Sequence, residues 1–255
     1  MKVGVFDSGV GGLTVLRAIR ENFPNLDLVY LGDTARVPYG SKSKDTVIRY
    51  SIECANFLLG FGIDLLVVAC NTASSYALDV LKEELTIPVL GVIDPGVKAA
   101  LEVSKRKVIG VIGTKGTISS GVYRKKLEEV GAKVYERACP LFVPLVEEGI
   151  KDGSIAESVV EFYLKDLKEK GIDTLIMGCT HYPLLKKVIE EYMGDVHVVD
   201  SASCIAQELK PHVKDTGGAS LRLFFTDNSP SLESLIELML GKGYKPEFIS
   251  TLCSL

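Results

Sequence analysis

Apolar residues along this chain fall into short unbroken runs, separated by stretches in which they recur every three or four positions. The runs Val3–Phe6, Leu28–Leu31, Leu65–Ala69, Val89–Val92, Val108–Ile112, Leu175–Met177 and Val196–Val199 read as strands buried on both faces of a parallel sheet. Between them Thr46–Leu59, Tyr76–Glu84, Ser119–Val130, Ser154–Lys170 and Leu184–Met193 carry helical periodicity. Strand and helix in alternation imply parallel sheets joined by right-handed crossovers. A last strand, Leu221–Thr226, and a last helix, Leu232–Leu240, complete the pattern.

The pattern is written twice. Gly62-Ile63-Asp64-Leu65-Leu66-Val67-Val68-Ala69-Cys70-Asn71-Thr72 returns as Gly171-Ile172-Asp173-Thr174-Leu175-Ile176-Met177-Gly178-Cys179-Thr180-His181. Lys2-Val3-Gly4-Val5-Phe6-Asp7 is answered by Lys107-Val108-Ile109-Gly110-Val111-Ile112, and Leu90–Asp94 by Val196–Asp200. The expected fold is α/β, with two pseudo-symmetric flavodoxin-like domains, mostly parallel sheets and the active site in the cleft between them. The second copy runs from near Lys107 to near Asp200. The closing strand and helix have no counterpart in it and are assigned to the first domain. The expected domains are therefore residues 1–97 plus 208–255, and residues 98–207, with linkers at Pro95–Lys98 and about Ser203–Lys210.

Composition narrows the function. Lys and Arg number 29 against 33 Asp and Glu, a net charge of −4, and no basic footprint for nucleic acid is present. No run approaches the roughly 18 apolar residues of a membrane helix, and Asp7 interrupts the first apolar stretch before it can act as a signal peptide. A cytoplasmic protein is expected, with its six cysteines reduced. No Cys-x-x-Cys spacing occurs and only three histidines exist, so no metal is expected.

In open α/β sheets ligands sit beyond the carboxyl ends of the strands. The polar segments there are Asp7–Gly12, Gly32-Asp33-Thr34, Cys70-Asn71-Thr72, Gly113–Thr117 and Cys179-Thr180-His181. Cys70 and Cys179 each stand where a strand gives way to a helix, and a helix N-terminus favours thiolate over thiol. Either cysteine alone reads equally well as a buried core residue. Two at matched places in a duplicated unit, each beside hydroxyls, point to acid/base work on both faces of one carbon. Cys54, Cys139, Cys204 and Cys253 lack that setting and are read as inert. Asp7 either binds a substrate ammonium or orients a thiol, or else caps the helix beginning near Gly11, a task Ser8 can also fill. His181 is a proton acceptor, a carboxylate donor, or structural. The loops at Gly9–Thr14 and Gly113–Ser119 match neither the dinucleotide fingerprint nor the P-loop, and resemble anion cradles built of backbone N–H groups.

Phe6–Gly12, Gly32–Gly40, Ala69–Ser74, Cys139–Gly149 and Gly178–Pro183 together closely resemble the cofactor-independent glutamate racemases over essentially the whole length. The resemblance implies interconversion of L- and D-glutamate with Cys70 and Cys179 as the two acid/bases, without pyridoxal phosphate or metal. It implies that Asp7 assists Cys70, and that Glu147 with His181 assists Cys179. It places Asp7, Ser8, Tyr39, Gly40, Asn71, Thr72, Thr180 and His181 against substrate. Thr114 and Thr117, in the second cradle, join the expected substrate contacts. The family supplies D-glutamate for peptidoglycan, and a homodimer is the expected assembly. Aspartate racemase is the near alternative. Against it stand Thr72-Ala73-Ser74 and His181, where aspartate enzymes typically place an acidic residue. A two-lobed binding protein without catalysis is the alternative from another class.

Overall fold

Strand β1 (Lys2–Asp7) is buried along all but its first residue, as a strand covered on both faces must be. The computed structural model describes residues 1–201, 203–214, 218–250 and 252. From β1 the chain continues through α1 (Leu13–Asn22), β2 (Asp27–Gly32), α2 (Lys44–Leu59), β3 (Leu65–Val68), α3 (Asn71–Glu84) and β4 (Val89–Gly91). Helix α4 (Ile93–Val103) leads into β5 (Val108–Gly113), α5 (Lys115–Ser119), α6 (Val122–Glu129), β6 (Lys133–Ala138) and α7 (Phe142–Glu147). Then come α8 (Gly153–Glu169), β7 (Thr174–Gly178), α9 (Lys186–Met193) and β8 (His197–Asp200). The last described elements are α10 (Ile205–Leu209), β9 (Leu221–Phe225), α11 (Leu232–Leu240) and β10 (Pro246–Phe248).

Two parallel sheets result, of six strands in the order β10-β9-β2-β1-β3-β4 and of four in the order β6-β5-β7-β8. The order β2-β1-β3-β4 in the first matches β6-β5-β7-β8 in the second. The repeat seen in the sequence is thus a four-stranded unit. The registers shift the first pair of segments by one residue: Phe6 lies opposite Val68 and Ile112 opposite Met177, so Lys2–Asp7 matches Val108–Gly113 rather than Lys107–Ile112. The Gly-Ile-Asp segments are matched turns. Gly62 and Gly171 take φ values of +66° and +65°, which a residue without Cβ adopts freely. Each aspartate then ties the turn to the chain entering the central strand. Asp64 accepts from the Lys2 N–H at 2.7 Å, and Asp173 from the Arg106 N–H at 2.6 Å.

Helices cover both faces of each sheet. In the first, Val3, Val5 and Val67 pack with Leu16, Ile205 and Ile236 on one face, while Phe6, Leu66 and Val68 pack with Leu58 and Ala77 on the other. In the second, Ile109, Val111 and Ile176 face Val97 and Tyr123, while Ile112, Leu175 and Met177 face Leu164 and Ile189. Each such aliphatic side chain contributes roughly 1.5–3 kcal/mol of burial. Strand β9 pairs with β2, so the chain returns to the first sheet after completing the second.

Three features depart from the sequence reading. Pro95–Lys98 is no linker but part of α4, whose Ile93, Val97 and Ala100 pack into the second core. Proline is tolerated there because the first turn of a helix leaves its N–H groups unpaired in any case. The helix expected over Ser119–Val130 starts only at Val122, after Gly121, which is left-handed with φ +67°, while Ser119 ends the separate short helix α5. Strands β6 and β10 were not anticipated. Both lie at sheet edges, where a strand needs no continuous apolar run, and β6 buries only Val134.

Candidate active site

Helix α3 begins directly after Cys70, and Cys70 is its N-cap: the sulfur accepts a hydrogen bond from the Ala73 N–H at 3.4 Å. The same thiol donates to Ser8 Oγ at 3.6 Å. Burial pushes the Cys70 thiol up to about 12, the nearby Asp7 charge adds to that, and the Ala73 and Ser8 contacts only partly oppose it. This reverses the sequence expectation. One helix N-terminus is outweighed by desolvation of the buried sulfur with a carboxylate nearby.

Cys179 follows β7 at the equivalent place. Its sulfur lies 3.9 Å from His181 Nδ1, and His181 Nε2 lies 3.2 Å from Glu147 Oε1, at the C-terminal end of α7. The imidazole is fully buried, which alone would lower its pKa. The hydrogen bonds with Cys179 and Glu147, together with the charges of Cys179 and Asp7, more than reverse that and hold it up at about 10. These partners favour the protonated ring.

Asp7 is 0% exposed. Its carboxylate accepts from the Gly9 N–H at 3.0 Å and from Thr180 Oγ1 at 3.3 Å. Burial pushes it up from the ordinary carboxylate value. The His181 charge, the Gly12 and Gly9 N–H groups and the Thr180 hydroxyl all oppose that shift. The cap of α1 is Gly12, without a side-chain hydrogen bond, so neither Asp7 nor Ser8 serves as its N-cap.

One cavity is lined by both cysteines together with Ser8, Tyr39, Gly40, Asn71, Thr72, Thr114, Thr180 and His181. Val37, Pro38, Val143 and Gly178 complete its wall. Asp7, Glu147 and Thr117 stand behind this lining, joined to it through Thr180, His181, and Thr72 with Thr114 respectively. The space open to the centre of a water-sized sphere is about 20 Å³, enough for one water. Much of the lining is already paired across the boundary between the halves. Thr72 Oγ1 lies 2.9 Å from Thr114 Oγ1 and 3.2 Å from Thr117 Oγ1, and those two are 3.1 Å apart. Gly40 packs against the Thr114 side chain. The Tyr39 hydroxyl is turned away from the cavity, donating to Asp33 and lying 3.6 Å from Cys54 Sγ. The Asn71 amide accepts from the Tyr123 hydroxyl at 2.6 Å and donates to Ser201 Oγ at 3.3 Å.

Cys54, Cys70, Cys139, Cys179 and Cys204 are free thiols, and Cys253 lies outside the described residues. Among the described residues no three His, Cys, Asp or Glu side chains are grouped to hold a metal ion, and no helix is long and apolar enough to cross a membrane. The sequence reading gave no site role to Tyr123 or Ser201, and held Val143 only within the Cys139–Gly149 motif. Ser201 carried a signal, since it follows the strand end Asp200 of a repeated pair. Tyr123 carried none beyond its place in a helix pattern.

Two thiols brought from equivalent strand ends into one closed cavity, each with polar support, define an acid/base site able to work on a single carbon from both sides. The chain belongs to the Asp/Glu/Hydantoin racemase family, whose model matches residues 6–209. The glutamate racemase of Aquifex pyrophilus is 63% identical over 244 residues, covering 96% of this chain and 96% of that protein. The solved glutamate racemase structure from Aquifex pyrophilus superposes with a TM-score of 0.87 at 61% identity, covering 97% of this chain and 98% of its own. That of Francisella tularensis subsp. tularensis in complex with D-glutamate gives 0.91 at 35% identity, covering 98% and 97%.

Proposed function

We propose that the chain interconverts L- and D-glutamate by moving the α-proton between two thiols. The observation that carries this reading is that Cys70 and Cys179, from matched strand ends, line one cavity. One sulfur enters as thiolate and takes the α-proton, leaving its electron pair on the α-carbon and the adjoining carboxyl group. The other enters as thiol and gives its proton to the opposite face, so the configuration inverts and the proton count balances. Without a pyridoxal electron sink, preorganised N–H donors and exclusion of water must stabilise the developing charge. Closure of the lobes over the strand-end loops would supply both.

In this reading Glu147 orients His181, and His181 exchanges a proton with Cys179 across 3.9 Å. Ser8 and Asp7 serve Cys70, the first by contact and the second through its charge. Ser8, Tyr39, Gly40, Asn71, Thr72, Thr114, Thr117, Thr180 and His181 hold the substrate. A cavity this small does not take glutamate as it stands, so the two lobes, the second carrying α4 and the first α10, part to let it in and close for chemistry. The enzyme needs neither pyridoxal phosphate nor metal and works as a homodimer in the cytoplasm, supplying D-glutamate for peptidoglycan. Aspartate racemisation is the alternative, with less support, because the close relatives are glutamate racemases.

Incubation in heavy water tests the reading. Glutamate of either hand is expected to gain deuterium at its α-carbon while its optical rotation decays. Aspartate is expected to exchange far more slowly, since a misplaced carboxylate leaves buried donors unpaired. No exchange into glutamate, or comparable exchange into aspartate, would overturn it.

A further inference from the structure

The residue after the first thiol is held from the other lobe. Asn71 opens α3 directly after Cys70, and its amide is 2% exposed. Its carbonyl oxygen accepts from the Tyr123 hydroxyl on α6, and its NH₂ donates to Ser201 just beyond β8. Ser201 Oγ in turn donates to the backbone carbonyl of Met177 at 3.0 Å, two positions before Cys179 on β7. Tyr123 and Ser201 are both 0% exposed. An unbroken run of buried hydrogen bonds therefore links the neighbour of one thiol to the strand that carries the other.

The surroundings are shaped to this run. A Cβ on Gly96 would come within 3.1 Å of Ser201 Cβ and 3.5 Å of the Tyr123 hydroxyl. A Cβ on Gly178, the residue before Cys179, would come within 3.1 Å of the Tyr123 ring. The threonine hydroxyls at 72, 114 and 117 differ, because two of their bearers line the cavity and can turn to a ligand. Asn71 lies in that lining, but Tyr123 and Ser201 stand outside it, so the two groups that hold the amide are not themselves reached by substrate.

We propose that Tyr123 and Ser201 are positioning residues: through the Asn71 amide they set the Cys70 sulfur against the Cys179 strand and act as the fixed pin about which the lobes open and close. The inference rests on the two-thiol reading above. Abstraction at a carbon tolerates little error in the position of the base, and a displacement on the order of 1 Å lowers rates about a hundredfold. Loss of the pin therefore weakens the half-reaction that starts at Cys70 more than the one that starts at Cys179.

Overall racemisation cannot display this difference, because the equilibrium constant between enantiomers is unity and the two kcat/KM values must stay equal. An analogue that needs one base can. From 3-chloroglutamate, abstraction of the α-proton expels chloride from the β-carbon, and the resulting enamine hydrolyses to 2-oxoglutarate and ammonia. Cys70→Ser first identifies the enantiomer whose elimination depends on Cys70. Tyr123→Phe, which keeps the ring and its packing, is then expected to slow elimination from that enantiomer by roughly ten- to a hundredfold relative to the other. Ser201→Ala is expected to shift the ratio the same way, and it carries the test should Tyr123→Phe fail to fold. A purely structural role would depress both enantiomers together. An unchanged ratio in folded variants overturns the pin and leaves the two-thiol reading standing. A Cys70→Ser enzyme that treats both enantiomers alike overturns both.

Discussion

Thr180 Oγ1 donates to Asp7 Oδ1 at 3.3 Å, joining the residue after Cys179 to the carboxylate at the end of β1. This single contact places the Asp7 charge between two half-sites. It adds to the upward shift of the Cys70 thiol and to that of the His181 imidazole. The two lobes thus share one electrostatic centre rather than carrying two independent ones.

Each thiol should leave a handed signature. With an analogue that eliminates after a single deprotonation, Cys70→Ser is expected to lose one isomer and Cys179→Ser the other, each keeping elimination from the isomer it does not serve. General-base removal typically costs about a hundredfold or more. Assaying 2-oxoglutarate release from the resolved isomers checks this, and equal losses for both isomers in each variant would falsify the assignment.

Gly11→Ala should block closure without dismantling either lobe. A Cβ at Gly11 would run into Thr180 Oγ1 and the His181 ring from the opposite lobe. The expected result is a fall in kcat/KM of about a hundredfold or more, with far-ultraviolet circular dichroism retained. Near-normal turnover would mean that the cleft works without this close approach.

Thr114→Val removes one corner of the hydroxyl triangle with Thr72 and Thr117. If those hydroxyls turn to a substrate carboxylate, KM should rise roughly ten- to a hundredfold, the range for a hydrogen bond to a charged group. Steady-state kinetics with glutamate give the number. An unchanged KM removes Thr114 from the substrate contacts.

Alkaline pH should weaken the fold through two buried groups. His181 is raised from 6.5 to about 10, so its contribution is complete below about 6.5 and is lost as pH climbs through 10. Cys70 is raised from 9.0 to about 12, so the folded state disfavours its thiolate, and stability falls again from about 9 upward. Urea unfolding of the parent and of His181→Gln should differ most at pH 6 and converge toward pH 10. A pH-independent difference would mean a neutral imidazole.

Much of this was legible in the residues because duplication repeats its signals. The Gly-Ile-Asp turns, the central strands and both cysteines were found in matching pairs, and the sheets carry them at matching places. What escaped depends on burial and on contacts between lobes. The upward shift at Cys70 comes from desolvation, which no local pattern encodes. Glu147 entered through the family resemblance alone, because its contact with His181 depends on where α7 ends. Helix α4 hid behind a proline that is harmless in a first turn. Edge strands β6 and β10 hid because an edge does not demand an apolar run.

The pairing of β9 with β2 has a consequence for how the polypeptide emerges from the ribosome. Residues 28–32 of β2 are hydrogen-bonded on one side by β1 and on the other by residues 221–225, made almost two hundred residues later. Until then a nascent first lobe offers the bare edge of β2, with Leu28, Val29, Tyr30 and Leu31, as a template for stray strands. The second lobe has every strand of its sheet within one continuous stretch and can close while the first waits. Synthesis therefore passes through an interval in which the half bearing Cys70 is the aggregation-prone one, and slow translation between residues 200 and 225 would lengthen it.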